Sequence, residues 1–267
     1  PHRYDAGKRQ FQDAFGVEVV EMPNTLTAAE RGAVDPAARA ADLHAALLDP
    51  SVAGIVSTVG GEDSIRILPY LDLDLIRAHP KVFLGYSDTT VTHLAFLRAG
   101  VVSYYGPALM AGFAENGGLH RYLAEGVKRT LFDAEPWSWP PNPDGWTTEW
   151  LDWADQANQQ RRRTLQPPTA PRWLQGERAV EGTLIAACLE VLDWLRGTTW
   201  WPSLDGAVLA LETSEEGPPP AVLGRFLRTL AAVGDLHRLG ALLFGRPGGV
   251  TSDTHRDYDA AILEVVR

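Results

Sequence analysis

Lys81-Val82-Phe83-Leu84-Gly85-Tyr86-Ser87-Asp88-Thr89-Thr90, followed by Val91-Thr92-His93-Leu94-Ala95-Phe96-Leu97, changes its pattern at Ser87. Val82-Phe83-Leu84 is an apolar run of the buried-strand type. After Ser87 the spacing becomes helical, with Val91, Leu94 and Leu97 on one expected stripe. Ser87 is therefore expected on a sharp strand-to-helix turn. Gly85 leaves room for the bend, and Asp88, Thr89 or Thr90 is expected to satisfy free amides at the helix start. A serine held there projects its hydroxyl out of the sheet, beside backbone N–H groups able to receive an oxyanion. The usual elbow has glycine two residues after the serine, where this chain has Thr89. On the turn alone, a nucleophile and a helix-capping serine both remain open.

Outward from this stretch, strands alternate with helices. Residues 4–15 have helical spacing with Tyr4, Phe11 and Phe15 apolar, Gly16 ends the helix, and Val17-Glu18-Val19-Val20 reads as a short strand. Residues 24–35 read as a polar loop, 36–48 as a helix and 52–59 as a buried strand broken by Gly60-Gly61. Short helices follow over 62–68 and 73–78. This alternation predicts βαβ units and a parallel sheet. Sites in such sheets form at the carboxyl ends of strands, where Gly60-Gly61 and Ser87 both fall.

Residues 119–131 read as a helix, and then the composition shifts. Pro136-Trp137-Ser138-Trp139-Pro140-Pro141-Asn142-Pro143 is followed by Trp146, Trp150, Trp153 and Arg161-Arg162-Arg163. The tryptophans either pack a linker onto the domains or form an aromatic wall for a planar ligand group. Beyond them a helix is expected over 185–195. Ala207-Val208-Leu209-Ala210-Leu211 is a buried strand ending in Glu212, a carboxylate that at this position points to a partner. Glu215 and Glu216 are rivals, read first as solvated charge. Residues 218–233 form an amphipathic helix with Val222, Phe226, Leu227 and Leu230 inward. Residues 239–244 form a strand, and 258–266 begin a last helix. The expected fold is α/β: a parallel-sheet, Rossmann-like N-terminal domain (1–127), a Trp/Pro-rich connection (128–175) and a smaller C-terminal α/β domain (176–267).

Bulk properties narrow the functions. The chain has 267 residues, 45% hydrophobic and 22% charged, an ordinary globular composition with ample core. No apolar run approaches the roughly 20 residues that span a bilayer, and no signal-peptide pattern opens the chain, which favours the cytoplasm and no membrane partner. A net charge of −10 argues against nucleic acid. Cys188 is the single cysteine; it excludes an internal disulfide and reads as a small buried hydrophobe. No His-Glu-x-x-His, paired cysteines or His/Asp cluster points to a metal, and no cofactor is implied.

Ile55-Val56-Ser57-Thr58-Val59-Gly60-Gly61, Leu68-Pro69-Tyr70-Leu71-Asp72, Gly85-Tyr86-Ser87-Asp88 and Tyr105-Gly106-Pro107-Ala108, in this order, resemble the LD-carboxypeptidase family. The branch that includes the microcin C immunity peptidases is the nearest likeness. The resemblance implies that Ser87 is the nucleophile, that Glu212 orients a catalytic histidine, and that the enzyme is a homodimer. It also implies a tryptophan stacked on a nucleotide base, for which Trp150 and Trp153 are the matches. Beside Ser87, Gly60 or Gly61 and the amide of Asp88 are expected to form the oxyanion hole.

The sequence departs from the family in three places. The family's initial strand and Ser-Pro-Ser-like turn are missing, so the sheet is expected to lack one strand. Ala186-Ala187-Cys188-Leu189 stands where Gly-Gly-Asn-Leu is frequent. No Gly-His-Thr-Asp-Pro-like turn supplies the histidine. His255 reads as a surface or capping residue and His93 as a core or helix-face residue, while His2, His44, His79, His120 and His237 have no motif. The base is therefore expected beyond Arg267. The implied reaction is amide hydrolysis through an acyl-enzyme, on a peptidyl-nucleotide antibiotic of the microcin C type or on a murein tetrapeptide with an L,D bond. A non-catalytic protein that sequesters such a ligand is the reading from another class. A cysteine-based amidotransferase-like enzyme fails, because no cysteine lies on the turn.

Overall fold

The computed structural model describes residues 2–27, 35–133 and 135–267. Part of the expected polar loop, residues 28–34, lies outside them. The contacts divide the chain into two units, Pro1–Pro171 and Arg172–Arg267, so most of the expected 128–175 connection belongs to the first.

The first unit opens with helix α1 (His2–Phe15), whose buried Tyr4 and Phe11 meet Leu84, Leu109, Phe113 and Val127 in one apolar cluster. Phe11 packs edge-on against Phe113 with ring centroids 4.6 Å apart. Helix α2 (Pro36–Leu48) starts with the Asp35 side chain accepting from the Ala37 amide. The sheet is parallel, in the order β1 (Gly54–Val56), β2 (Val82–Gly85), β3 (Tyr104–Tyr105). A 3₁₀ turn (Ser64–Tyr70) and helix α3 (Leu73–Ala78) link β1 to β2, and helix α4 (Thr90–Ala99) links β2 to β3. Helix α5 (Arg121–Leu131) follows. The α/β fold and its parallel sheet are those the sequence predicts.

Three expectations are corrected in this unit. Residues 17–20 carry no strand ladder. Val17 and Val19 pack against the apolar cluster while Val20 is exposed, so the alternating pattern is real but it serves packing. Leu97 is 38% exposed, not inward with Val91 and Leu94. Every residue from Thr90 to Phe96 is buried, so α4 is enclosed over two turns, and only its last turn emerges before Gly100 closes it at φ +78°. Thr89, at the helix N-cap position, makes no side-chain cap bond; the hydroxyls of Thr89 and Thr90 donate back to the Tyr86 and Ser87 carbonyls at 2.9 and 2.8 Å.

The second unit is a parallel sheet ordered β4 (Leu184–Cys188), β5 (Val208–Glu212), β6 (Ala241–Phe244). It carries helices α6 (Leu189–Trp194), α7 (Pro220–Ala232), α8 (Asp235–Arg238) and α9 (His255–Val266). The helix expected over 185–195 is instead a strand followed by a helix. Five small or apolar residues have no period of their own, and pairing from Leu184↔Val208 to Cys188↔Glu212 decides for the strand. On α7 Phe226, Leu227 and Leu230 are buried as expected, joined by Leu223, while Val222 is only half-buried. Among the described residues no helix is long and apolar enough to cross a membrane.

Candidate active site

The nucleophile turn follows directly from β2. Ser87 has φ +60°, the one left-handed non-glycine residue among those described. Such a conformation costs a serine roughly 1–3 kcal/mol and persists only where its surroundings enforce it. Here they do. The Ser87 amide donates to Tyr105 Oη at 2.8 Å, and its carbonyl accepts from Thr90 Oγ1. Gly85 is required by space: a Cβ there would lie 2.6 Å from Ser57 Oγ and 2.8 Å from Thr89 Oγ1. Thr89, which replaces the usual elbow glycine, thus packs against the glycine at the start of the bend.

Gly60 and Gly61 pass directly over this turn. A Cβ on Gly60 would lie 2.8 Å from both Cβ and Oγ of Ser87, and one on Gly61 would lie 3.0 Å from Asp88 Oδ2. The expected glycine loop, Ser87 and Asp88 are therefore in one place. The Asp88 side chain is buried and accepts from the Ser64 amide at 3.2 Å, while Ser64 Oγ donates to the Asp88 carbonyl. Burial pushes the Asp88 carboxyl up, opposed by the hydrogen bonds from Ser64. Its carboxylate ties the turn to the segment after Gly61, a role the sequence did not reveal.

His93 is no base for Ser87. Its Nε2 lies 2.9 Å from the Gly85 carbonyl, which can only accept, so Nε2 carries the proton and Nδ1 accepts from Ser103 Oγ at 2.9 Å. Burial pushes the imidazole down to about 4, leaving it neutral. The ring lies 5.3 Å from that of Tyr105, supporting the residue that holds Ser87. His255, expected at the surface or in a cap, is instead buried at the start of α9.

The tryptophans form a second feature of the first unit. Trp150 and Trp153 stack on each other, 5.1 Å apart at 28°. Trp150 is 65% exposed, whereas Trp153 is half-buried with the Arg3 guanidinium 4.0 Å over its ring. Of these two, Trp150 offers the largely open indole; Trp139, 66% exposed and 5.1 Å from the Trp137 ring, is another in this unit.

Glu212 belongs to the second unit, half-buried at the carboxyl end of β5. Cys188 pairs with it across the sheet and is buried; desolvation first, then Glu212 and Glu190, push its thiol far up, so it is no nucleophile. Glu190 accepts from the amide and hydroxyl of Ser214, fixing the loop after Glu212. Glu215 and Glu216 are exposed, as expected. Among the described residues no group of His, Cys, Asp and Glu could hold a metal ion.

Comparison with known proteins agrees with this architecture. Residues 1–106 match the LD-carboxypeptidase N-terminal domain and residues 181–267 the LD-carboxypeptidase C-terminal domain. Putative carboxypeptidase YocD of Bacillus subtilis (strain 168) is 31% identical over 233 residues, covering 87% of this chain and 68% of that protein. The microcin C7 self-immunity protein MccF of Escherichia coli is 28% identical over 211 residues, 78% of this chain and 60% of that protein. A crystal structure of an MccF-like protein from Streptococcus pneumoniae in complex with AMP superposes with a TM-score of 0.87 at 29% identity, covering all of this chain and 82% of the other. With both family domains matched and the serine turn in place, the chain belongs to the LD-carboxypeptidase family of serine peptidases.

Proposed function

We propose that this peptidase cleaves an amide in a peptidyl-nucleotide of the microcin C type, or in a related aminoacyl adenylate analogue. The observation that carries the substrate class is the open, stacked indole of Trp150 in the same unit as Ser87, 65% exposed and backed by Trp153. An exposed indole already stacked on a second ring presents a flat apolar face, and a nucleobase is a planar group of the right size to cover it. The AMP bound by the similar S. pneumoniae protein supports the same reading.

In the proposed reaction, Ser87 Oγ attacks the carbonyl carbon and forms an acyl-enzyme, which water then hydrolyses. A histidine outside these 267 residues takes the serine proton and returns it to the leaving amine. Glu212 holds that histidine in the correct tautomer. The amides of Asp88 and of Gly61 or Gly60 receive the oxyanion. No cofactor is required.

The test is a substrate pair: an aminoacyl sulfamoyl adenosine against a murein tetrapeptide. The nucleotide compound is expected to be the better substrate. Trp150→Ala should lower kcat/KM on it by about tenfold to a hundredfold, the range set by base–aromatic stacking. The tetrapeptide, which has no aromatic ring, should be cleaved no differently by the variant. Efficient hydrolysis of the tetrapeptide alone would replace this reading with murein carboxypeptidase activity.

A further inference from the structure

Arg3 is a buried cation whose surroundings the catalytic chemistry does not use. It sits in the first turn of α1, 6% exposed, and reaches three segments distant in sequence. Its Nε donates to the Met110 carbonyl at 2.9 Å, and its Nη1 donates to Asn116 Oδ1 at 3.1 Å, with Gln159 Oε1 at 3.5 Å. Its guanidinium carbon stands 4.0 Å over the Trp153 ring.

Each contact leads to part of the site. Met110 donates its amide to the Thr58 carbonyl at 2.8 Å, and Thr58 lies two residues before Gly60. Asn116 and Gln159 bind backbone on the far side: Asn116 Nδ2 donates to the Asn158 carbonyl, and the Gly117 amide donates to the Gln159 carbonyl. Trp153 stacks on Trp150. Arg3 thus touches both the backbone paired with the segment leading to Gly60-Gly61 and the tryptophan pair. Burial lowers its pKa to about 10, with Glu115 opposing, so it stays charged at neutral pH. A guanidinium suits this position because its plane can lie on an indole while its edge donates, which an ammonium cannot do.

We propose that Arg3 is a specificity-determining residue: by holding Trp153, and through it Trp150, it fixes the platform that accepts a planar base. Arg3 touches neither the base nor the reacting atoms. It acts through the tryptophan pair, so its effect exists only while that pair is intact. The proposal rests on the base-stacking reading above.

A double-mutant cycle with AMP as the probe tests both and keeps them apart. AMP affinity is measured by titration calorimetry for wild type, Trp150→Ala, Arg3→Met and the double variant, each with its Tm. Arg3→Met keeps the length of the side chain and removes fork and charge. Alone it is expected to weaken AMP about tenfold, and on the Trp150→Ala background by less than twofold, because the platform it supports is already gone. Arg3→Lys retains the charge but not the plane, and is expected to recover only part of the affinity; it carries the same cycle should Arg3→Met fail to fold. An unchanged affinity in Trp150→Ala overturns the base-stacking reading and the proposal with it. A weakened Trp150→Ala, combined with an Arg3 effect that is absent or multiplies in full on the double variant, overturns the proposal alone.

Discussion

Gly60→Ala tests the catalytic turn with a single methyl group. Gly60 has no left-handed φ, so alanine meets no backbone penalty there and the perturbation is one of space. The new Cβ would start 2.8 Å from both Cβ and Oγ of Ser87. Carbon–carbon contacts settle at about 3.5–4.0 Å, so the loop and the turn must separate by roughly 0.7 Å. Rotating the serine about χ1 moves Oγ but leaves its Cβ in the clash, so backbone has to move. A displacement of about 1 Å at a reacting group can cost about a hundredfold in rate. The expected fall in kcat is therefore roughly tenfold to a hundredfold. The stability cost should stay near the low end of the roughly 1–3 kcal/mol typical of overpacking, since both residues are only half-buried. Gly61→Ala is the comparison: its Cβ would meet Asp88 Oδ2 at 3.0 Å and press on the turn's support instead of on the serine itself. The assay is steady-state hydrolysis together with the rate of labelling by a fluorophosphonate, which reports the serine alone. Labelling and kcat within twofold of wild type for Gly60→Ala would refute the claim that this loop and this serine share one site.

Ser87→Ala is expected to abolish hydrolysis without altering Tm; loss of a triad nucleophile elsewhere costs about 10⁶ in kcat, and a rate within tenfold of wild type removes Ser87 from the mechanism. Glu212→Gln should cost less, on the order of 10⁴ as for other orienting carboxylates, while Glu215→Gln and Glu216→Gln stay within a few-fold; the reverse pattern in kcat would move the acid by a turn. For His93 the folded value of about 4 lies below the ordinary 6.5, so its contribution to stability is present above pH 6.5 and is lost as pH falls towards 4. The difference between wild type and His93→Gln in urea-unfolding free energy should therefore decline across that window by up to about 3 kcal/mol, and a pH-independent difference would contradict the buried neutral imidazole.

The sequence reading succeeds where local pattern and tertiary demand agree. Val82-Phe83-Leu84 is a strand in both respects, and Gly85 before Ser87 marks the bend that the structure places there. It fails where pairing decides. Residues 185–188 have no period, and only the register with β5 makes them a strand. Residues 17–20 have the alternation of a strand without a ladder. Trp150 and Trp153 are indistinguishable as letters, and exposure separates them. Arg3 is invisible from sequence for the same reason: its partner Met110 lies 107 residues away. Tyr105 stood in a quoted motif, but nothing in the letters aims its hydroxyl at the Ser87 amide.

That hydroxyl constrains the chemistry. In a strand–serine–helix elbow the ready oxyanion donors are the amide of the residue after the serine and one from a neighbouring loop, so the serine's own amide is spare. Here the Ser87 amide already donates to Tyr105 at 2.8 Å, the bond that helps hold the serine at φ +60°. Using it for the oxyanion would release the restraint that presents Oγ. In the proposed reaction the donors are therefore the Asp88 amide after the serine and an amide of the Gly60-Gly61 loop above it. Both of these flanks are fixed independently of the serine. Ser64 ties down Asp88, and the Leu109 and Met110 amides hold the Ser57 and Thr58 carbonyls at 2.9 and 2.8 Å, just before the glycines. The strained serine, the engaged amide and the anchored loop are one arrangement, in which Tyr105 and Thr90 hold Ser87 while separate hydrogen bonds fix Asp88 and the approach to Gly60.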